Sequence, residues 1–233
     1  MLDSAFEALK KFDWGSDLTA LNPIEEAIVS GKGKPDSTKE VESRLIAALQ
    51  GELSLDAREY VCRKLATIGT AAAVPALAPL LVQPEISHMS RFALERIPAP
   101  EAGQALRDAL AKVSGKVKIG IASSLGQRRD SSSVGALANV LNDSDPAVAR
   151  SAALALGAIG SGEAVGVLQR ALPSSGSNLA VIDALLSCAE SLLAANKPTE
   201  ASSIYKAFAD EKQPRLVRLA ATRGLLACAS KQA

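Results

Sequence analysis

The chain has 233 residues, with 26 lysines and arginines against 25 aspartates and glutamates, for a formal net charge of +1. That balance gives no electrostatic reason to expect a polyanion as partner. Hydrophobic residues make up 48% and aromatics 3%, so the core is alanine, leucine and valine, which favours close-packed helices over a large cavity. No apolar run reaches the roughly 18–20 residues that would span a bilayer.

From the N-terminus, Asp3 to about Phe12 reads as a short amphipathic helix and 13–17, Asp-Trp-Gly-Ser-Asp, as a turn. Trp14, the single tryptophan, is expected to plug the open N-terminal end of a helical stack, with ligand stacking as the alternative role. Asn22-Pro23 caps a helix running to about Ser30. Gly31-Lys32-Gly33-Lys34-Pro35-Asp36 is a loop, and it lacks both the Gly-x-x-x-x-Gly-Lys-Ser/Thr pattern and the preceding strand of a phosphate-binding loop. A helix from Thr38 to Gln50 completes this pair, and a regular ladder begins at Ser54.

Pro75 and Pro79 fall near the start and middle of a second helix, so 74–82 is expected to be kinked or short. Ile97-Pro98-Ala99-Pro100 is a stiffened turn. Gly126-Gln127-Arg128-Arg129-Asp130 puts charge where sister turns are apolar, as a solvated turn or a partner-contacting edge. The clearest unit is 143–172: Asp145 as N-cap, Pro146 in the first turn, and Val148, Ala152, Leu156 and Ile159 along one face. Gly160 and Gly162 close that helix, Val165, Leu168 and Leu172 line the next, and Pro173 ends it. Lys197-Pro198-Thr199 starts a further helix, and Pro214-Arg215-Leu216-Val217 opens the last one.

The units repeat. Leu65, Leu94, Leu125 and Leu156 lie 29, 31 and 31 residues apart. Each is followed twelve positions later by Leu77, Leu106, Leu137 or Leu168, and sixteen later by Leu81, Leu110, Leu141 or Leu172. Ungapped agreement in so many columns indicates tandem duplication. A looser copy anchored on Leu192, with Ile204 and Phe208 at the same offsets, requires an insertion of about five residues near 174–178. No single unit can bury its apolar faces alone, so units must stack on one another. The fold class expected is therefore all-α, a right-handed αα superhelix of about six to seven helix pairs with the last incomplete. In that reading 1–37 is an atypical cap, 38–210 the repeats and 211–233 a terminal half-repeat, all one domain; the half-repeat is either a cap or a sign that the chain belongs to a longer protein.

Cys62, Cys188 and Cys228 are odd in number and without metal-ligand spacing, so they read as buried free thiols. The start Met-Leu-Asp-Ser-Ala-Phe-Glu is not a secretory leader. On the sequence as given the compartment is cytoplasmic, with export open if a leader was removed from a longer precursor.

Asp145, Val148, Arg150, Ala153, Ala155, Leu156, Gly157, Ile159 and Gly160 resemble the HEAT-like repeat of the phycobilisome-lyase type, Asp-x-x-Val-Arg-x-x-Ala-x-x-Ala-Leu-Gly-x-Ile-Gly, with the arginine displaced by one residue. Weaker copies cover roughly 38–230. The resemblance implies an α-solenoid with first helices on the convex face and second helices on the concave one. It also implies that Asp145 and Arg150 bridge adjacent repeats. It does not specify function, because such repeats serve scaffolds, transport factors, bilin-attachment subunits, a di-iron hydroxylase and some DNA glycosylases.

The reading taken is a non-catalytic scaffold that binds a protein or peptide on its concave face. Its candidate contact residues lie one and two positions past the buried leucine column: Arg107 and Asp108, Asn139, Gln169 and Arg170, Tyr205 and Lys206. No cofactor or metal site is expected, and His88, the single histidine, reads as an exposed helix residue. Di-iron chemistry would need several His-Glu pairs. No nucleophile–base arrangement occurs in the sequence. The alternatives are a bilin-lyase-like subunit, by resemblance alone, and nucleic-acid binding, which the balanced charge and scarce aromatics disfavour.

Overall fold

A computed structural model of the chain describes residues 1–31, 35–175 and 179–232. All regular structure among the described residues is helical, in fourteen α-helices and four short 3-10 turns. Two compact units divide the chain, Met1–Ile121 and Ala122–Ala233. The first holds α1 (Leu2–Lys10), α2 (Asn22–Ser30), α3 (Pro35–Leu49), α4 (Leu55–Ile68), α5 (Val74–Leu77), α6 (Ser87–Arg96) and α7 (Pro100–Leu110). The boundary falls inside α8 (Gly115–Arg128). The second unit continues with α9 (Val134–Val140), α10 (Pro146–Ile159), α11 (Gly162–Ser175), α12 (Leu179–Ala194), α13 (Pro198–Lys206) and α14 (Arg215–Gln232).

The helix starts follow from capping chemistry. Ser54 Oγ accepts from Ala57 N at 3.1 Å and Asp145 Oδ1 from Ala147 N at 2.8 Å, each satisfying a first-turn donor. Proline occupies the first turn of α2, α5, α7, α10 and α13, where its missing N–H costs nothing. At the far end of α10, Gly160 sits at φ +64°, the left-handed residue that lets the chain leave the helix.

Several boundaries differ from expectation. Asn22 lies inside α2 rather than capping it; the capping is done upstream, where Asp17 accepts from Thr19 N at 2.9 Å and starts a 3-10 turn, Leu18–Leu21. α3 begins at Pro35, three residues before the expected Thr38; proline is well tolerated at a helix start, where its missing N–H costs nothing. α8 runs on to Arg128 and turns at Arg129, φ 51°, so the charged stretch is half helix. α11 continues through Pro173 to Ser175. The expected loop at 31–36 and insertion at 174–178 fall partly on 32–34 and 176–178, outside the described residues. The break around Pro75 and Pro79 is real: α5 is four residues long and passes into a 3-10 turn, Ala78–Val82. Two buried serines of α6 hold that broken helix, Ser87 Oγ donating to Leu81 O and Ser90 Oγ to Leu77 O, both at 2.8 Å.

The leucine columns are the core. Leu65, Leu94, Leu125, Leu156, Leu77, Leu106, Leu137 and Leu168 are all 0% exposed, and each contributes about 2 kcal/mol by burial. First helices stack on first helices, α4 on α6 and α10 on α12. The approach is close: a Cβ on Gly126 would lie 2.7 Å from Ala155 Cα, and one on Gly157 would lie 2.9 Å from Ala184 Cα.

That pair of contacts resets the register of the looser copy. Gly126 and Gly157 each follow an anchor leucine, and Ala155 precedes one, so Ala184 marks Leu185 as the anchor of α12. Leu185 is 0% exposed against 8% for Leu192. The extra length therefore lies in the C-terminal part of α12 beyond Leu185, not before the helix.

Polar closures join successive elements. The carboxylate of Glu42, itself buried, accepts from Thr70 N at 2.6 Å and Thr70 Oγ1 at 2.9 Å, linking α3 to the end of α4. Lys64 Nζ pairs with Glu25, tying α4 to α2. Asp145 and Arg150 do not bridge repeats among the described residues; Asp145 caps its own helix and Arg150 is exposed. Trp14 is 89% exposed and plugs nothing, since α1, packed on α2 and α3 through Phe6 and Leu9, already covers that flank.

Candidate partner-binding surface

Along the second helices other than α11, the position one past the leucine column and the position two past it behave differently. Two past, Pro79, Asp108, Asn139, Arg170 and Lys206 are all exposed. One past, Ala78, Arg107 and Ala138 are half-buried, Gln169 is exposed and Tyr205 is buried. The helical period explains it, because one residue turns the side chain through only about 100° and leaves it against the neighbouring helix.

In the first unit, Arg107 and Asp108 belong to one hydrogen-bonded chain on α7. Arg107 donates through Nη2 to Gln104 Oε1, and Gln104 donates through Nε2 to Asp108 Oδ1, both at 2.7 Å. Asp108 and Gln104 also edge a groove of about 500 Å³ between the Pro-broken second helix and α7. Its wall is apolar, with Pro75, Pro79, Val82, Ala105 and Ala109, and its rim carries Glu101 and Lys112. Small alanines on one side and a helix that narrows into a 3-10 turn on the other leave the space unfilled. Val82, 43% exposed, stands at its mouth. The prolines at 75 and 79 were the sequence signal for this groove, but the cavity depends on both walls.

In the second unit, α9 packs beside α11, and Asn139 and Arg170 occupy equivalent exposed positions on them. Arg170 folds back over its own helix, its Nη1 3.5 Å from where a Cβ on Gly166 would be. Lys206 is exposed at the end of α13. Tyr205 is a correction: it is 3% exposed, with its ring against the bare backbone of Gly224 of α14, where a Cβ would meet Cζ at 2.3 Å. Burial, with Glu190 and Cys228 nearby, pushes its phenol up to about 12. It packs α13 against α14 and offers nothing to a partner.

Chemically reactive groups are few. Burial pushes the Cys62 thiol up to about 12 and Cys188 to about 11, and raises Cys228, so all three are protonated near neutrality. Among the described residues no cluster of three His, Cys, Asp or Glu could hold a metal ion. His88 is exposed at the start of α6, its Nδ1 3.5 Å from the Arg91 guanidinium, whose fixed protons make that nitrogen the acceptor. No helix among the described residues is long and apolar enough to cross a membrane.

Residues 103–187 match the family model for HEAT repeats. Among solved structures, the archaeal HEAT-like repeats protein from Thermococcus onnurineus NA1 is similar over 100% of this chain and 98% of its own, with 14% identity and a TM-score of 0.53. Human deoxyhypusine hydroxylase in complex with glycerol is 19% identical, over 98% and 96% of the two chains, with a TM-score of 0.40. An engineered protein is 20% identical over 97% of each chain, with a TM-score of 0.39. No curated protein matches the chain.

Proposed function

We propose, for a chain that carries HEAT repeats over 103–187 and whose helix pairs have the HEAT-like fold, that it is a non-catalytic scaffold binding a protein or peptide through the surface of its second helices. The observation that carries this reading is the groove between the Pro-broken second helix and α7, apolar in its wall and edged by Asp108 and Gln104. Its volume lies within the roughly 300–1,000 Å³ of ligand-sized clefts, and its rim of Glu101, Asp108 and Lys112 suits a mixed-charge peptide better than a polymer of one sign. In the second unit Asn139, Gln169, Arg170 and Lys206 are the corresponding exposed positions. The narrower phycobilisome-lyase type, with bilin attachment as its activity, rests on the Asp145–Gly160 motif alone; a bilin absorbance band on mixing with bilin would support it.

The test is quantitative affinity capture with the wild-type chain, Val82→Asp and Asp108→Lys. Both substitutions are at exposed positions, so unfolding free energies should stay within about 0.5 kcal/mol of wild type. A charge driven into the apolar mouth should cut recovery of the bound protein about tenfold or more. Equal recovery by all three chains removes the groove from consideration.

A further inference from the structure

Residues 13–30 and the last helix, α14, carry opposite charge. Residues 13–30 contain Asp13, Asp17, Glu25 and Glu26 and no lysine or arginine. α14 contains Arg215, Arg218, Arg223 and Lys231 and no carboxylate. Both segments also hold large apolar side chains in solvent: Trp14 is 89% exposed, Leu18 58% and Val29 71%, while Leu216 is 78%, Leu219 64% and Leu226 69%.

These residues are ordered by helical geometry. α14 buries Val217, Ala221, Gly224 and Cys228 on one side, and Leu216, Leu219, Arg223 and Leu226, spaced by three, four and three, lie on the other. α2 buries Ile24 and Ile28 and exposes Asn22, Glu26 and Val29. Glu25 is turned inward, engaged by Lys64 and Tyr60, so the exposed carboxylates are Asp13, Asp17 and Glu26.

We propose that the basic, leucine-bearing outer face of α14 docks on the acidic, Trp14- and Val29-bearing outer face of the α2 region in a second copy of this chain. Three observations select a second copy over another occupant. The charges are opposite in sign, four carboxylates in residues 13–30 against four cations in α14. Each segment exposes three large apolar side chains, Trp14, Leu18 and Val29 on one and Leu216, Leu219 and Leu226 on the other, so each offers apolar surface to its counterpart. Packing a first helix on a first helix is also how the chain stacks internally, as α4 on α6 and α10 on α12. The contact is heterologous, because each copy uses one surface to give and a different one to receive. One helix face per side is small against the roughly 1,200 Å² of a stable complex, so association is weak, concentration-dependent and sensitive to salt.

Sedimentation velocity over a protein concentration series tests this. At an ionic strength of about 0.01 M, where screening extends about 30 Å, the weight-average sedimentation coefficient of the wild-type chain should rise with concentration, and the rise should shrink at about 0.15 M. Arg223→Glu and Glu26→Arg, both surface changes that leave the unfolding midpoint unaltered, should each weaken self-association about tenfold or more. Their equimolar mixture should recover it, since the intact α14 of one variant meets the intact α2 region of the other. The proposal is overturned if the wild-type chain stays monomeric throughout, or if the mixture does. It is equally overturned if Arg223→Glu abolishes association while Glu26→Arg does not, which would mean α14 pairs with itself. Binding of the monomer to vesicles of anionic phospholipid without self-association would assign the basic face to lipid instead. None of these outcomes bears on the groove beside Asp108, which is read by capture.

Discussion

Replacing Gly126 with alanine adds one methyl to α8 at the point where it crosses α10. That carbon would sit 2.7 Å from Ala155 Cα, 3.0 Å from Ala155 Cβ and 3.3 Å from Ala155 O. The obstacle is backbone, which cannot rotate away as a side-chain tip can, so the two helices must separate by roughly 0.7 Å to reach ordinary contact. Overpacking of this kind costs about 1–3 kcal/mol, against a gain of about 1 kcal/mol from replacing a mid-helix glycine with alanine. The net expectation is a loss of up to about 2 kcal/mol. Gly135 is the internal control. It is exposed in the first turn of α9, and a Cβ there would meet nothing within 4 Å, so Gly135→Ala should stabilise by roughly 0.5 kcal/mol. Urea unfolding followed by circular dichroism at 222 nm reads both, with the midpoint moving and the slope preserved. Gly126→Ala at or above wild-type stability would refute the claim that close approach of first helices selects glycine at this column. Gly157→Ala carries the same logic to α12 and checks Leu185 as the anchor there.

Leu168→Ala, at a fully buried column position, should cost about 2–5 kcal/mol, whereas Leu154→Ala, at a site 46% exposed, should cost under about 1; thermal unfolding separates them. Glu42→Ala leaves the Thr70 amide without its 2.6 Å acceptor and should cost about 1–3 kcal/mol, while Glu42→Gln, which keeps an acceptor oxygen, should cost less by the same assay. The thiols of Cys62 and Cys188 are raised in the folded state, to about 12 and about 11, so the unfolded chain gives up these protons first. Their contribution to stability is complete below the unfolded thiol value of about 8.5 and is lost as pH rises towards the folded values; urea midpoints measured from pH 7.5 to 10.5 should therefore fall, with no thiol labelling of the native chain at the lower end.

Much of this protein is written in local pattern. The leucine columns, the caps at Ser54 and Asp145, the turn at Gly160 and the proline break at 75–79 follow from the 3.6-residue period and from which side chains can satisfy a helix end, and both are properties of a few consecutive residues. The candidate surface was legible to the same degree: the residues two past each leucine column face solvent because geometry within one helix sends them there. What local pattern could not decide was which neighbour covers a given face. Tyr205 and Arg107 hold the same repeat position, yet Tyr205 is buried because α14 presents a glycine to its ring. Trp14 is exposed because α1 already covers the flank it was expected to close, and Leu185 rather than Leu192 anchors α12 because Gly157 admits Ala184. The groove beside Asp108 needs two helices, one broken and one lined with alanine, before there is any space between them. Burial belongs to a pair of surfaces, and a single helix determines only one of them.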